Sequence, residues 1–266
     1  LLMTKIFSIL FRWIKAVVIC LVIVKVTTFG WMPSIDKRED FSVESAQRLE
    51  RTVRFLSEEI GLRDYENPQK LNQAADYIEQ SFRELGYTVE EITYKIDQQQ
   101  FRSIVAFKGS QLPNQAVLIG AHYDTCSNPG ADDNASGIAG LLELARQLKG
   151  NGGLSVIFAA FTNEEPPFFT TEAMGSYIVA QSFKEKKIVL KATVILEMLG
   201  YYSDRLFSQR YLPVLGPFFP NQGNFIAVVG NFPSHRLVSS LVHGFKKGST
   251  FPIHSIVAPS SIPGIY

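Results

Sequence analysis

Apolar residues recur along this chain in two periods, and the alternation between them predicts an α/β order. From Ser42 to Ile60, the positions Val43, Ala46, Leu49, Val53, Leu56 and Ile60 mostly recur at helical spacing, the signature of one face of an amphipathic helix. A second helix is predicted after Asn67, a capping residue, and Pro68, which suits a first turn. Leu71, Ala74, Ala75, Ile78, Phe82 and Leu85 share its face, and Gly86 ends it. Residues 87–94 and 101–107 read as strands, the second expected to pair with 116–119 across the turn at Pro113-Asn114.

Residues 135–148 read as a helix with Ile138, Leu141, Leu142, Ala145 and Leu148 inward. Residues 154–161 form a strand pattern, 174–186 a helix and 192–196 a strand. That order implies βαβ units and a largely parallel sheet. Residues 201–223, rich in aromatics and Pro, read as a long loop, 225–229 as a further strand and 235–246 as a helix. There is no internal repeat.

The N-terminal pattern differs. Ile6 to Met32 is mostly apolar, with an uninterrupted run 16–24 between Lys15 and Lys25. That run falls short of the about 20 residues a spanning helix needs. Residues 9–29 reach the length if Arg12, Lys15 and Lys25 extend their charges to the interfaces. A signal anchor, a cleaved signal peptide and a buried helix are the open readings. No small-x-small cleavage site follows Val24, and Lys5, Arg12 and Lys15 favour a cytoplasmic N-terminus. The expectation is a single-pass membrane protein with the rest of the chain extracytoplasmic, or secreted if the segment is cleaved. The anchor would span 1–32, a linker 33–41 and the remaining domain 42–266.

Composition narrows the partners. The 266 residues are 46% hydrophobic and 19% charged, enough for a substantial core. A net charge of +1 gives no reason to expect nucleic acid. Cys20 and Cys126 are too few and too differently placed for a disulfide framework.

The candidate chemistry lies where the strand patterns stop. His122 and Asp124, two apart at a strand end, point to one side, and a ligating imidazole usually gives its other N–H to a carboxylate. A stabilising His–Asp pair is the plainer reading. Asp132 and Asp133 precede the helix near Ala135; a helix cap accounts for one of them, and the second suggests a ligand. Glu164 and Glu165 repel unless a cation or proton separates them, the alternative being a solvated acidic loop. Glu197 ends the next strand and reads equally as a ligand or a surface residue. Ligands in open α/β sheets bind outside the carboxyl ends of the strands, so the clusters point to one shared site. Imidazole with carboxylates suits zinc, with manganese or cobalt as alternatives.

Gly-Ala-His-Tyr-Asp-Thr at 120–125, Gly-Ala-Asp-Asp-Asn-Ala-Ser-Gly at 130–137, Asn-Glu-Glu at 163–165 and Leu-Glu-Met-Leu-Gly at 196–200 resemble the motifs of metallopeptidase family 28. That family comprises co-catalytic zinc aminopeptidases, together with glutaminyl cyclases and some carboxypeptidases. The resemblance covers roughly Leu49 to the last residue. It implies a three-layer α/β/α sandwich with a mixed, mainly parallel sheet, here behind an N-terminal membrane-anchor helix, and a peptide substrate.

It also implies two zinc ions. His122 would bind one, Asp124 would stand behind it, Asp133 would bridge both, Glu164 would be the general base, and Glu165 would bind the second. Glu197 stands where many relatives have Asp and would join His122. The family's last ligand is a His in a Ser-Asp-His motif, which this sequence lacks. His235 and His243 read as surface residues, and His254 as a weak surrogate ligand. The expectation is a fragment ending before that motif, holding its second zinc poorly and with its own activity in doubt.

Overall fold

The first amphipathic pattern folds as helix α1, Val43–Arg54, capped by Ser42, whose hydroxyl accepts the Ser45 N–H at 3.2 Å. It runs on as a wider turn, Phe55–Ile60, that Gly61 ends at φ +81. Helix α2, Pro68–Glu84, buries Leu71, Ala74, Ala75, Ile78 and Phe82, the predicted stripe. Asn67 sits at its N-cap but spends its side-chain amide on Asp64 Oδ1 instead of the helix. The computed structural model describes residues 42–148, 155–211 and 219–261. The expected anchor, its linker and Cys20 lie outside them. Among the described residues no helix is long and apolar enough to cross a membrane.

The chain divides into two compact units, one of them Ser42–Tyr201. Its strands are β1 (Thr88–Ile96), β2 (Gln99–Phe107), β3 (Gln115–His122), β4 (Val156–Phe161) and β5 (Val189–Ile195), with helices α3 (Gly137–Gln147) and α4 (Gly175–Glu185). They form one sheet in the order β1-β2-β4-β3-β5. β3 runs parallel to β4 and β5, whereas β1–β2 and β2–β4 are antiparallel. The sheet is therefore mixed.

The expected pairing of 101–107 with 116–119 does not occur. β2 turns back on β1 through Asp97 at φ +52, and its other edge pairs Ile104–Phe107 with Ile157–Ala160 of β4. Those two apolar runs are buried on both faces, the environment of interior strands.

Alternation along the strands sorts side chains to two cores. Ala106, Ala121, Phe158 and Ala160 meet Leu56, Ile78, Phe82, Ile138 and Leu141 of the helices on one face. Val105, Ala116, Leu118, Ile157 and Ala159 meet Val179 and Phe183 of α4 on the other. The unit is thus an α/β/α sandwich. Gly120 is required between β3 and β4, because a Cβ there would lie 2.4 Å from the Phe161 ring.

The other unit contributes, among its described residues, β6 (Ile226–Asn231), α5 (His235–Gly248) and β7 (Ile253–Ala258). β6 and β7 are parallel, so this is a βαβ crossover with Val238 of α5 packed over Gly230. β7 escapes the sequence pattern because His254 and Ser255 interrupt its apolar run. The described parts of 201–223 hold only an isolated bridge, Ser203 to Gly223.

Candidate metal centre

Strand order brings the clusters together. β3 lies between β4 and β5 and parallel to both, so their carboxyl ends are adjacent. His122 ends β3, Glu164 and Glu165 follow β4, and Glu197 follows β5. Asp133 comes from the irregular turn Ala131–Ser136 that leads into α3. Gly130 starts that turn at φ +59, where a Cβ would lie 2.1 Å from the Asp133 carbonyl oxygen. The Asp133–Asn134 peptide is cis.

His122 is the common member of the site. Its Nε2 stands 3.1 Å from Asp133 Oδ1, 3.4 Å from Glu197 Oε1 and 3.9 Å from Glu164 Oε2. Its Nδ1 is 3.4 Å from Asp124 Oδ1. Two sets of donor atoms lie close enough to share an ion: His122, Asp133 and Glu197 on the β5 side, and His122, Glu164 and Glu165 on the β4 side. A tetrahedral zinc with bonds of about 2.0–2.1 Å spaces its donor atoms about 3.3 Å apart. The contacts of His122 with Asp133 and Glu197 match that spacing. Asp133 Oδ1, which faces His122 Nε2, is buried without a hydrogen-bond partner, a costly state for a carboxylate oxygen that a cation would relieve. The donor set fits a divalent metal.

The charges agree with this. Burial pushes the Glu165 carboxyl up to about 7, with the Asp133 charge next in weight. Burial also raises Glu164, against the pull of His122. Burial alone would lower His122, but Asp124, Asp133 and Glu197 outweigh it and hold its pKa well above the ordinary imidazole value. Several carboxylates crowd one imidazole here, and a cation would reverse that balance.

Asp132 is drawn away from this centre. Its Oδ1 accepts the Gly200 N–H at 2.7 Å and its carbonyl accepts the Ser136 hydroxyl at 2.7 Å, so it pins the loop after β5. Of the two adjacent aspartates, one is structural and the other faces His122. Neither donor set contains His235, His243 or His254. His235 and His243 are exposed, and the ring of His254 packs edge-on against Phe225.

Two residues at the site had no role in the sequence pattern. Asn134 donates to Glu197 Oε2 at 3.0 Å. Arg63 is 0% exposed, and its guanidinium donates to the carbonyls of Leu56, Gly61, Tyr123 and Pro129. Its own N–H donates to Thr125 Oγ1 at 2.8 Å. Arg63 thereby ties the strand end holding Asp124 to the turn leading to Asp133. Nothing in its neighbours, Leu62 and Asp64, marks it as buried.

The sequence profile of peptidase family M28 matches residues 103–217. An Escherichia coli K12 protein, YfbL, described only as uncharacterized, is 37% identical over 83% of this chain and 71% of its own length. Leucine aminopeptidase 1 of Aspergillus niger is 30% identical over 52% of this chain and 37% of its own. Among solved structures, the LapA aminopeptidase of Legionella pneumophila superposes with a TM-score of 0.60 at 20% identity, covering 87% of this chain and 62% of LapA. The glutaminyl cyclase of Porphyromonas gingivalis superposes with a TM-score of 0.55 at 21% identity, covering 84% and 78%. The chain thus spans less than two thirds of LapA and little more than a third of the leucine aminopeptidase.

Proposed function

The chain belongs to peptidase family M28, and from that premise we propose that it acts as a zinc-dependent exopeptidase on the N-terminal bond of peptides. The observation that carries the reading is the placement of Asp133 Oδ1 and Glu197 Oε1 at 3.1 and 3.4 Å from His122 Nε2, with Glu164 just beyond. His122, Asp133, Glu197 and Glu165 would hold the metal, with Asp124 orienting the His122 ring through Nδ1. Bound zinc supplies Lewis acidity to the scissile carbonyl and acidifies water.

Glu164 is the general base. Its half-buried carboxylate has a raised proton affinity, which suits it to take a proton from the attacking water and return it to the leaving amine. The expected anchor belongs to the same proposal and rests on the apolar run at 16–24 between Lys15 and Lys25, extended over 9–29. A reporter active only outside the cytoplasm, fused after Tyr266, should be active; an inactive fusion rejects the orientation.

The direct test is zinc titration of the chain, followed by product analysis on peptides with free N-termini. Release of the first amino acid, abolished by chelation and restored by zinc, is the expected result. Ammonia release from Gln-peptides without amino-acid release would instead identify a glutaminyl cyclase, a reading that the cyclase-like fold supports. Zinc binding with neither product would leave a binding module.

A further inference from the structure

Glu197 is the outlying member of the centre. It follows the last residue of the edge strand β5 by two, and its side chain is 46% exposed. A Glu side chain this exposed samples several rotamers unless a neighbour fixes it. Asn134, which is 0% exposed, does the fixing. Its amide nitrogen donates to Leu196 O at 2.9 Å and Glu197 Oε2 at 3.0 Å. Its amide oxygen accepts the N–H of Gly137 at 3.0 Å and of Met198 at 3.3 Å. Both amide hydrogens and the oxygen are thus engaged. Glu197 has one oxygen held by Asn134 and the other turned to His122.

We propose that Asn134 is the positioning residue of this centre, holding Glu197 so that it meets the cation through Oε1 alone. This rests on the metal-site reading above. Asn134 follows Asp133 directly, so one dipeptide supplies one ligand and aims another. The extra methylene of Glu197 relative to Asp would otherwise leave its carboxylate free to swing. A carboxylate held at one oxygen binds one-sidedly, a mode suited to a small tetrahedral ion.

The experiment is a double-mutant cycle on zinc affinity, measured with a competing chromogenic chelator. Asn134→Ala should lower zinc affinity about 10-fold or more in the otherwise unchanged chain. In the Glu197→Ala background it should change affinity by less than about 2-fold, because its target is gone. Should Asn134→Ala not fold, Asn134→Asp serves: it keeps an acceptor for Gly137 and Met198 and removes the donor to Glu197. Equal losses in both backgrounds, or no loss in either, would overturn the inference while zinc binding by the unchanged chain left the functional reading standing. No zinc binding by the unchanged chain would defeat that reading itself.

Discussion

Asp124 joins two strand ends: its Oδ2 accepts the backbone N–H of Glu165 at 3.0 Å, while its Oδ1 lies 3.4 Å from His122 Nδ1. One buried carboxylate thus sets both the imidazole on β3 and the peptide that carries the acidic pair after β4. Asn at this position would have to present its amide to one of those two partners. Asp124→Asn should lower zinc affinity about 10- to 100-fold. Chelator competition on the folded variant measures it, and unchanged affinity would remove Asp124 from the orienting role.

Glu164 is expected to separate metal binding from turnover. Glu164→Gln removes the proton acceptor with little change of shape. It should retain zinc while kcat falls about 10²-fold or more. Peptide hydrolysis measured at full metal content checks this, and near-normal turnover would reassign the base.

The metal-free protein should lose stability as pH rises. The Glu165 carboxyl is pushed from 4.5 up to about 7 by burial and then by Asp133, so between those values the folded state holds the extra proton. Folding is then favoured most below about 4.5 and weakens up to about 7. The raised His122 acts in the same direction, its contribution being lost as pH rises through its folded value. The thermal midpoint of zinc-free protein should fall between pH 5 and 7.5. Saturating zinc should reverse the trend, and Glu165→Gln should flatten it.

Arg63 should be hard to replace. Burial brings its guanidinium down to about 10, and its donors reach the carbonyls of Leu56, Gly61, Tyr123 and Pro129. Arg63→Met strands those oxygens and should cost about 3–5 kcal/mol. Lys lacks the fork geometry and should recover little of this. Denaturant unfolding of the zinc-free variants gives the values.

Most of the sandwich's helices and strands were legible in the sequence because their periodicities are local. The α2 stripe from Leu71 to Phe82 and the apolar run of β4 follow from residues within one turn or one pleat of each other. Pairing was another matter. Nothing in the composition of β2 distinguishes β1, β3 or β4 as its neighbour, since every partner offers the same backbone groups. β7 was hidden by the polar pair His254-Ser255 inside a short strand.

The chain order alone announced which residue types could ligate a metal: an imidazole, an adjacent aspartate pair, a glutamate pair and a lone glutamate, each at the end of an apolar run. It could not say that β3 lies between β4 and β5, and hence that His122 is shared by donors on both sides. Nor could it tell Asp132, held by Gly200, from Asp133, which faces His122. Those distinctions depend on strand order and on hydrogen bonds such as the one between Asn134 and Glu197, 63 residues apart. Residue type is local information, whereas convergence is set by packing between distant segments.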